Sequence, residues 1–540
     1  MKNIYRTILL TLISISAFGQ KSEIKKADKL FVQRAYVDAA NAYEDVADKN
    51  QEVLQNLGDS YFYTNQMQNA AEVYKLLFLR HEATVAPEYE FRFAHSLRAA
   101  GQNDEADKYF ASYYDREIAF EDFQASTVDS SNLFIYETTM LATDNSASSD
   151  FGISYFGEDQ ITFASTRNTA RPIYPWNKKP TLDLYSGNIS EEGEINNVVL
   201  FSDAINTDEH ESSAAFSQDG QTVYFDRTNE KRVKDTSGIR VANISILRSQ
   251  MINGTWSEPE KLPFSSEEYS VEHPALSPDG STLFFASDMP GGEGSFDLYK
   301  VAVNEDGTFG TPENLGPGIN TEHREQFPFI SENNTLYFAS DGHLGFGNLD
   351  IYKSEGDYNE AENLGNSLNS AYDDFAFIIK EGEKNGFLAS NRSGNDNLYS
   401  FTRAQYIKKT VEIEIPHEDR IYFAFDKSNI TPEYQEVLDQ IIDILKSSEA
   451  TEIQIASHAD ARGTDEYNMD LSQRRAESTK NYLVEHGIAA SDISTIGYGE
   501  SRPVNDCTDA TGCTEAEYAQ NRRSVISFST MEEVVEEETK

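Results

Sequence analysis

Cysteine is nearly absent from this 540-residue chain: there are two, and no C-x-x-C pair. That excludes a disulfide framework or a thiolate zinc site as the basis of the fold. Basic residues are also few, 45 against 91 acids, for a net charge of −46. A chain this acidic repels polyanions, which excludes nucleic acid and anionic lipid as default partners. No segment reaches 18 apolar residues, so no transmembrane helix is expected. No segment shows lipid-facing alternation at the length a membrane barrel needs. There is no G-x-S-x-G elbow and no unrepeated set of nucleophile, base or metal ligands, so neither enzyme activity nor a cofactor is expected. Aromatic residues, by contrast, are plentiful (29 Tyr, 32 Phe), so most of the chain must fold. Its length suits three or four domains.

Lys2 and Arg6 precede the apolar run Ile8 to Ile15, and Ala17-Phe18-Gly19 follows. This pattern reads as a secretory signal peptide, residues 1–19, cleaved after Gly19. No cysteine lies near that point, so a lipid-anchored N-terminus is not expected. From 24 to 125 the pattern is helical. Leu57-Gly58-Asp59-Ser60-Tyr61 with Ala70-Ala71-Glu72-Val73-Tyr74 returns as Phe93 to Leu97 with Ala106 and Phe110. Tyr43, Tyr74 and Phe110 stand 31 and 36 residues apart, bracketing a period of about 34. The segment resembles tetratricopeptide repeats; a plain helical bundle is the alternative. Residues 126–149, rich in Ser, Thr, Asp and Asn, read as a linker.

Between 150 and 403 the expected period is two. Ile161–Ser165, Val223–Arg227, Leu283–Ser287, Leu336–Ser340 and Gly386–Ser390 end alike, at spacings of 62, 60, 53 and 50 residues. Asp219-Gly220 and Asp279-Gly280 supply the positive φ of tight hairpins. A repeat of about 50 residues with several short strands predicts a β-propeller of five or six blades. Leu276-Ser277-Pro278-Asp279-Gly280 resembles the WD40-like PD40 repeat of TolB-type propellers. Asn206, Asn320 and Asn369 are each followed five residues later by an acid, Glu211, Glu325 and Asp374. Such recurrence predicts turn-fixing hydrogen bonds rather than catalysis. The glycine-rich stretch Asp341 to Asp350 lacks the ligand alternation of a calcium loop.

The most specific signal lies in 411–530. Pro432 opens a helix with Val437, Leu438, Ile441, Ile442 and Leu445 on one stripe. Glu452–Ala456 is an alternating strand, and a helix starting near Asn468 to Ser472 follows, ending before Gly487. With a last strand at Ser524–Phe528 the order is β-α-β-α-β, a compact α/β sandwich. Ser457, Asp460, Arg462, Gly463, Tyr467, Asn468, Leu471, Ser472, Arg474, Arg475 and Ala476, then Tyr498-Gly499-Glu500 and Asn521-Arg522-Arg523, resemble the OmpA-like peptidoglycan-binding domain. Ala459 departs from the usual Thr.

The resemblance implies binding of stem-peptide diaminopimelate by one Asp and one Arg fifteen residues apart, here Asp460 and Arg475, with Asp426, Asn468, Leu471 and Arg523 around them. A carboxylate suits the ligand's ammonium and a guanidinium its carboxylate. Residue chemistry alone does not choose between Arg474 and Arg475. The expected place of Arg475 in the first helical turn adds an anion-favouring dipole. In an oxidising compartment Cys507 and Cys513 are expected to pair. Residues 531–540, with five Glu, read as a disordered acidic tail.

The layout resembles OmpA family proteins of Bacteroidota envelopes. It implies a periplasmic, non-enzymatic scaffold associated with the outer membrane and cell wall. The C-terminal domain would hold peptidoglycan, and propeller and helices a protein partner. Resemblance to propeller-bearing accessory proteins of type IX secretion and gliding suggests one such complex. A wall-localised enzyme acting on a glycan or peptide through the propeller is the competing reading.

Overall fold

The computed structural model describes residues 20–535, except 116–119, 121–122, 125–126, 128–132, 142–147, 158–159, 191–193, 235–237, 381, 383, 417–419, 449 and 508–511. The proposed signal peptide and the end of the acidic tail, 536–540, lie outside the described residues. Among the described residues no helix is long and apolar enough to cross a membrane. The chain divides into two compact units, 1–404 and 405–540.

The first unit opens with antiparallel helix pairs. A helix over 20–32 is followed by Tyr36–Glu44, Gln51–Phe62, Met67–His81, Glu88–Ala99 and Asn103–Tyr114. Tyr43, Tyr74 and Phe110 are all buried between helices, as their spacing predicts. Gly58 lets the Tyr74 ring lie close: an added Cβ would fall 2.4 Å from the ring. The Tyr74 hydroxyl donates to Asp59, which also pairs with Arg92 at 2.8 Å.

Five antiparallel sheets follow, and each contains one of the five repeated segments as its second strand. These strands are Gln160–Ser165, Thr222–Thr228, Thr282–Ser287, Leu336–Ser340 and Asn385–Ser390. They are buried along nearly their whole length rather than alternately, because both faces are covered. The first strands are Asp150–Tyr155, Glu211–Phe216, Val271–Leu276, Glu325–Ile330 and Asp374–Ile379. Each breaks register at an irregularity whose first skipped residue has positive φ: Gly152, Ser213, His273, Phe327 and Ala376. Residues of all five first strands line one shared cavity of about 160 Å³.

One expectation changes here and another holds. The segment read as a linker, 126–149, contains the strand Leu133–Met140, which pairs with the strand starting at Asn397. An early piece of chain thereby completes the fifth sheet, through a pairing of more than 250 residues' separation that no local pattern announces. The repeated Asn–acid pairs do what recurrence suggested. Asn320 accepts from Leu298 N and donates to Leu298 O, and Asn206 and Asn369 do the same at Leu184 and Ile351. Glu325 accepts from Thr321 N, Thr321 Oγ1 and Ser340 Oγ.

The glycine-rich stretch after Asp341 has a use the sequence did not reveal. Its carbonyls receive three side chains from the helices. Tyr114 Oη donates to Gly342 O (3.0 Å), Arg98 Nη1 to Gly345 O (2.9 Å) and His95 Nδ1 to Gly347 O (2.9 Å). Phe91 stacks on His323 with ring centroids 3.6 Å apart. A Cβ at Gly345 would sit 1.8 Å from Asp350 Oδ2, so the loop's course requires glycine.

In the second unit the strand Arg523–Val535 is central. It pairs with 406–414, with Ile421–Tyr422 and with Thr451–Ser457, whose other edge holds Ile493–Gly497 in parallel. The helices Pro432–Ser447 and Asp465–Glu485 are joined by a short Glu515–Asn521. Leu438, Ile441, Ile442 and Leu445 pack with Ile453, Ile455, Ile526 and Phe528 to form the core. The expected β-α-β-α-β order was therefore too short: it lacked Ile493–Gly497 and Glu515–Asn521. The last strand also runs on through 531–535, which had been read as tail. Its register sets Glu532 opposite Lys409 and Glu533 opposite Lys408. Cys507 and Cys513 form a disulfide, as expected.

Candidate functional site

The helix Asp465–Glu485 begins earlier than its apolar pattern suggests, because Thr464 caps it and accepts from Tyr467 N. Arg475 consequently lies mid-helix, three turns in, and the helix N-terminus contributes nothing at its guanidinium. Arg475 is fully buried, at 0% exposure. Its Nε donates to Lys427 O, Nη1 to His458 O and Nη2 to Ala424 O, at 2.8, 2.9 and 3.2 Å. Three carbonyls hold the fork, and no carboxylate pairs with it among the described residues. Burial, then the nearby Arg522 charge, pushes its pKa down to about 10. It therefore remains a cation at neutral pH.

Arg475 opens onto a small pocket with Phe425, Asp426, Asp460, Arg462, Tyr467, Asn468, Leu471 and Arg522. The cavity is about 20 Å³, room for one small polar group. Asp460, 3% exposed, follows the strand Thr451–Ser457. Burial raises its carboxyl, but hydrogen bonds from Arg462 and Arg522 outweigh burial and hold it below the ordinary carboxylate value. Arg462 Nη2 and Arg522 Nη1 reach Asp460 Oδ2 at 2.7 and 2.9 Å. Both arginines also reach Glu515, each at 2.9 Å, so four charges close a ring. Phe425 and Tyr518 clamp the Arg462 guanidinium from two sides, at 4.2 and 4.3 Å.

Asp426 is exposed, sits at φ +54°, and accepts from the Tyr467 hydroxyl. Asn468 donates to Asp460 O and to Glu500, which joins the Tyr498-Gly499-Glu500 turn to the pocket wall. Gly499 N donates to Ser472 Oγ and Gly499 O accepts from Ala459 N. Ala459 thus takes part through its backbone. His458 stacks on Tyr498; burial, then Arg523 and Arg502, lowers its pKa to about 3, so it stays neutral.

The structure brings together Asp426, Asp460, Asn468, Leu471 and Arg475 from the sequence-based set. Arg523 is not among the lining residues: its guanidinium donates to Arg502 O, and its neighbour Arg522 lines the pocket instead. Arg522 caps the helix Glu515–Asn521, and the strand starts only at Arg523, which turns the two side chains apart. Arg474 lies elsewhere. It is solvent-exposed, pairs with Asp470, and is not among the residues lining the pocket. Sequence reasoning missed Glu515. Its clue was the Thr514-x-x-Glu517 capping box, which marks a helix start beside it.

Fold and site together define an α/β domain built around one small, arginine-rich pocket. The OmpA family matches residues 422–516. The chain is 42% identical over 108 residues to the peptidoglycan-associated lipoprotein of Pasteurella multocida (strain Pm70), covering 20% of this chain and 69% of that protein. It is 40% identical over 117 residues to outer membrane porin F of Pseudomonas fluorescens, covering 22% of this chain and 33% of the porin. Among solved structures, the peptidoglycan-associated lipoprotein from Burkholderia pseudomallei matches 21% of this chain and 89% of its own, at 32% identity and TM-score 0.18. Through this C-terminal domain, the chain belongs to the OmpA family.

Proposed function

We propose that the protein is a non-enzymatic scaffold of the bacterial envelope, held to peptidoglycan by its C-terminal domain. The ligand group is the diaminopimelate end of the stem peptide, and the binding residues are Arg475, Asp460, Asp426, Asn468 and Leu471. One observation carries this reading: a fully buried guanidinium, held by three backbone carbonyls and unneutralised, opens into a pocket sized for a carboxylate. Relatives named for peptidoglycan association share this domain.

The five sheets act as a five-bladed propeller and the helices as tetratricopeptide-like repeats, together holding a protein partner. The shared cavity between the first strands and the repeat of about 50 residues support the propeller. The setting is the periplasm, beside the outer membrane and wall, after export by residues 1–19. A type IX secretion or outer-membrane anchoring complex is the proposed partner.

Co-sedimentation of the full chain with purified peptidoglycan tests the reading. Arg475→Lys keeps the charge but removes the planar fork, and Asp460→Ala breaks the ion ring. Each is expected to weaken wall binding at least tenfold. Unchanged binding in both variants removes the proposal.

A further inference from the structure

Three turns that end helices in the first unit share one geometry. Arg34, Asn65 and Gly101 take positive φ, at 56°, 57° and 73°. In each case the next residue's N–H returns to a carbonyl of the helix just ended: Ala35 to Leu30, Gln66 to Tyr61 and Gln102 to Leu97. Asparagine and glycine suit that left-handed position, and arginine does not. The Arg34 side chain is exposed, and its guanidinium has no ion pair or hydrogen bond among the described residues. The first repeat thus holds a strained arginine that no contact within the fold explains.

Arg34 stands where the helices meet the sheets. Its charge acts on the hydroxyls of Tyr36, Tyr63 and Tyr174. These three rings gather around Trp176, with centroids 4.7, 6.1 and 6.3 Å from it. Tyr36 is only 7% exposed, yet its hydroxyl has no partner among the described residues. The same holds for Tyr63 and Tyr174, and none of the three oxygens is sealed from solvent. Burial raises all three phenols above their ordinary value, so each keeps its proton and can donate. Sheltered donors without acceptors carry a cost that an acceptor entering the junction removes.

Charge selects that acceptor. The charges acting on Tyr174 are Arg34 and Arg232, both without an ion pair among the described residues. Two other cations act on Tyr63, but Arg92 is paired with Asp59 at 2.8 Å and Arg324 with Asp341 at 2.6 Å. Asp288, the acid that Arg34 acts on, accepts from Ser270 N and forms no ion pair with it. Two unpaired guanidiniums and three phenol donors match the two charges and three terminal oxygens of a phosphate monoester. Tyr174 and Arg232 come from 166–182 and 229–243, the longest connections between second and third strands of the five sheets. Arg34 and those two connections are departures from the repeat, and they meet at one place.

We infer that this junction, formed by Arg34, Tyr36, Tyr63, Tyr174 and Arg232, binds the phosphate monoester group of a small soluble ligand. A net charge of −46 on the chain disfavours an anionic lipid surface as the source of that group.

Titration calorimetry of the full chain with inorganic phosphate and with glycerol 3-phosphate tests the assignment. Both should bind the unaltered chain. Arg34→Asn, which installs the residue of the second repeat's turn, should weaken both at least tenfold. Its thermal midpoint should stay level or rise, because Asn tolerates the left-handed turn. Tyr36→Phe should weaken both about fivefold. Arg80→Asn, which removes an exposed arginine elsewhere on the helices, should leave affinity within twofold. Binding that survives Arg34→Asn, or falls equally in Arg80→Asn, overturns the assignment. So does an unaltered chain that binds neither probe at millimolar concentration. Co-sedimentation with phosphatidic acid vesicles separates the sources of phosphate. No retention is expected, and retention that Arg34→Asn abolishes would overturn the small-ligand assignment in favour of lipid.

Discussion

The sheets of the first unit and the pocket of the second handle buried charge in opposite ways. In the sheets, each recurring acid is closed off by its own surroundings. Glu211 accepts from Thr207 and Arg227, Glu325 from Thr321 and Ser340, and Asp374 from Ser370 and Arg392. Their partners lie within the sheet and its turn, so these groups hold strands together and offer nothing outward. Arg475 is equally buried but is satisfied only by neutral carbonyls, which leaves its charge to act on whatever enters. Recurrence goes with closure and singularity with availability. The contrast separates architecture from recognition more sharply than burial does.

The largest effect should come from breaking a closed group. Asn320→Ala strands Leu298 N inside the third sheet and leaves Leu298 O with Leu315 N as its remaining donor. A loss of about 3 kcal/mol is expected, read by denaturant unfolding, while wall binding of the folded protein stays unchanged. Lost wall binding with the fold intact would blur the distinction between the two regions.

Next comes a difference in sign with pH. Burial raises Glu272 to about 7, Glu211 to about 7 and Glu325 to about 8. Their folded values lie above the unfolded ones. Their stability contribution is therefore full below about pH 4.5 and lost as pH rises through 7 to 8. Asp460 is shifted the other way, so its contribution is present above pH 4 and lost only in acid. Calorimetry should show the sheets losing about 2 kcal/mol between pH 7 and 8, a range in which the buried histidines are neutral in both states, with the C-terminal domain unmoved. Glu272→Gln should flatten that slope; an unaltered slope would assign the effect elsewhere.

The smallest is local. Thr514→Ala removes the capping box of Glu515–Asn521, the helix that presents Glu515 to the ion ring. About 1 kcal/mol of stability should go, with wall affinity reduced less than twofold. A larger binding defect would show that the ring needs that helix start more than its bonds suggest.

Much of the fold was legible because its signals are local. The second strands, the Asp-Gly turns and the stripe Leu438 to Leu445 each follow from a few neighbouring residues. The resemblance placed Asp460 and Arg475 at one site, and the structure brings them to one pocket. What was missed depends on distance or on a single cap. Leu133–Met140 pairs with residues at the far end of the unit. Residues 531–535, rich in Glu, form a strand because 406–410 lies alongside. The swap of Arg523 for Arg522 turns on where a seven-residue helix stops, and the mid-helix place of Arg475 turns on Thr464.

The loop Gly342–Gly347 has a consequence for how this chain can change over evolutionary time. The third sheet carries a similar stretch, Gly291 to Asp297, yet the helices dock on the carbonyls of the fourth. That loop works as an address within an otherwise repetitive series. The first repeat shares the seat, since Trp176 Nε1 donates to Tyr63 O and Lys178 pairs with Asp38, so neither the first nor the fourth can drop out with the helical seat preserved. The fourth is tied to the N-terminal helices and must vary together with His95, Arg98 and Tyr114.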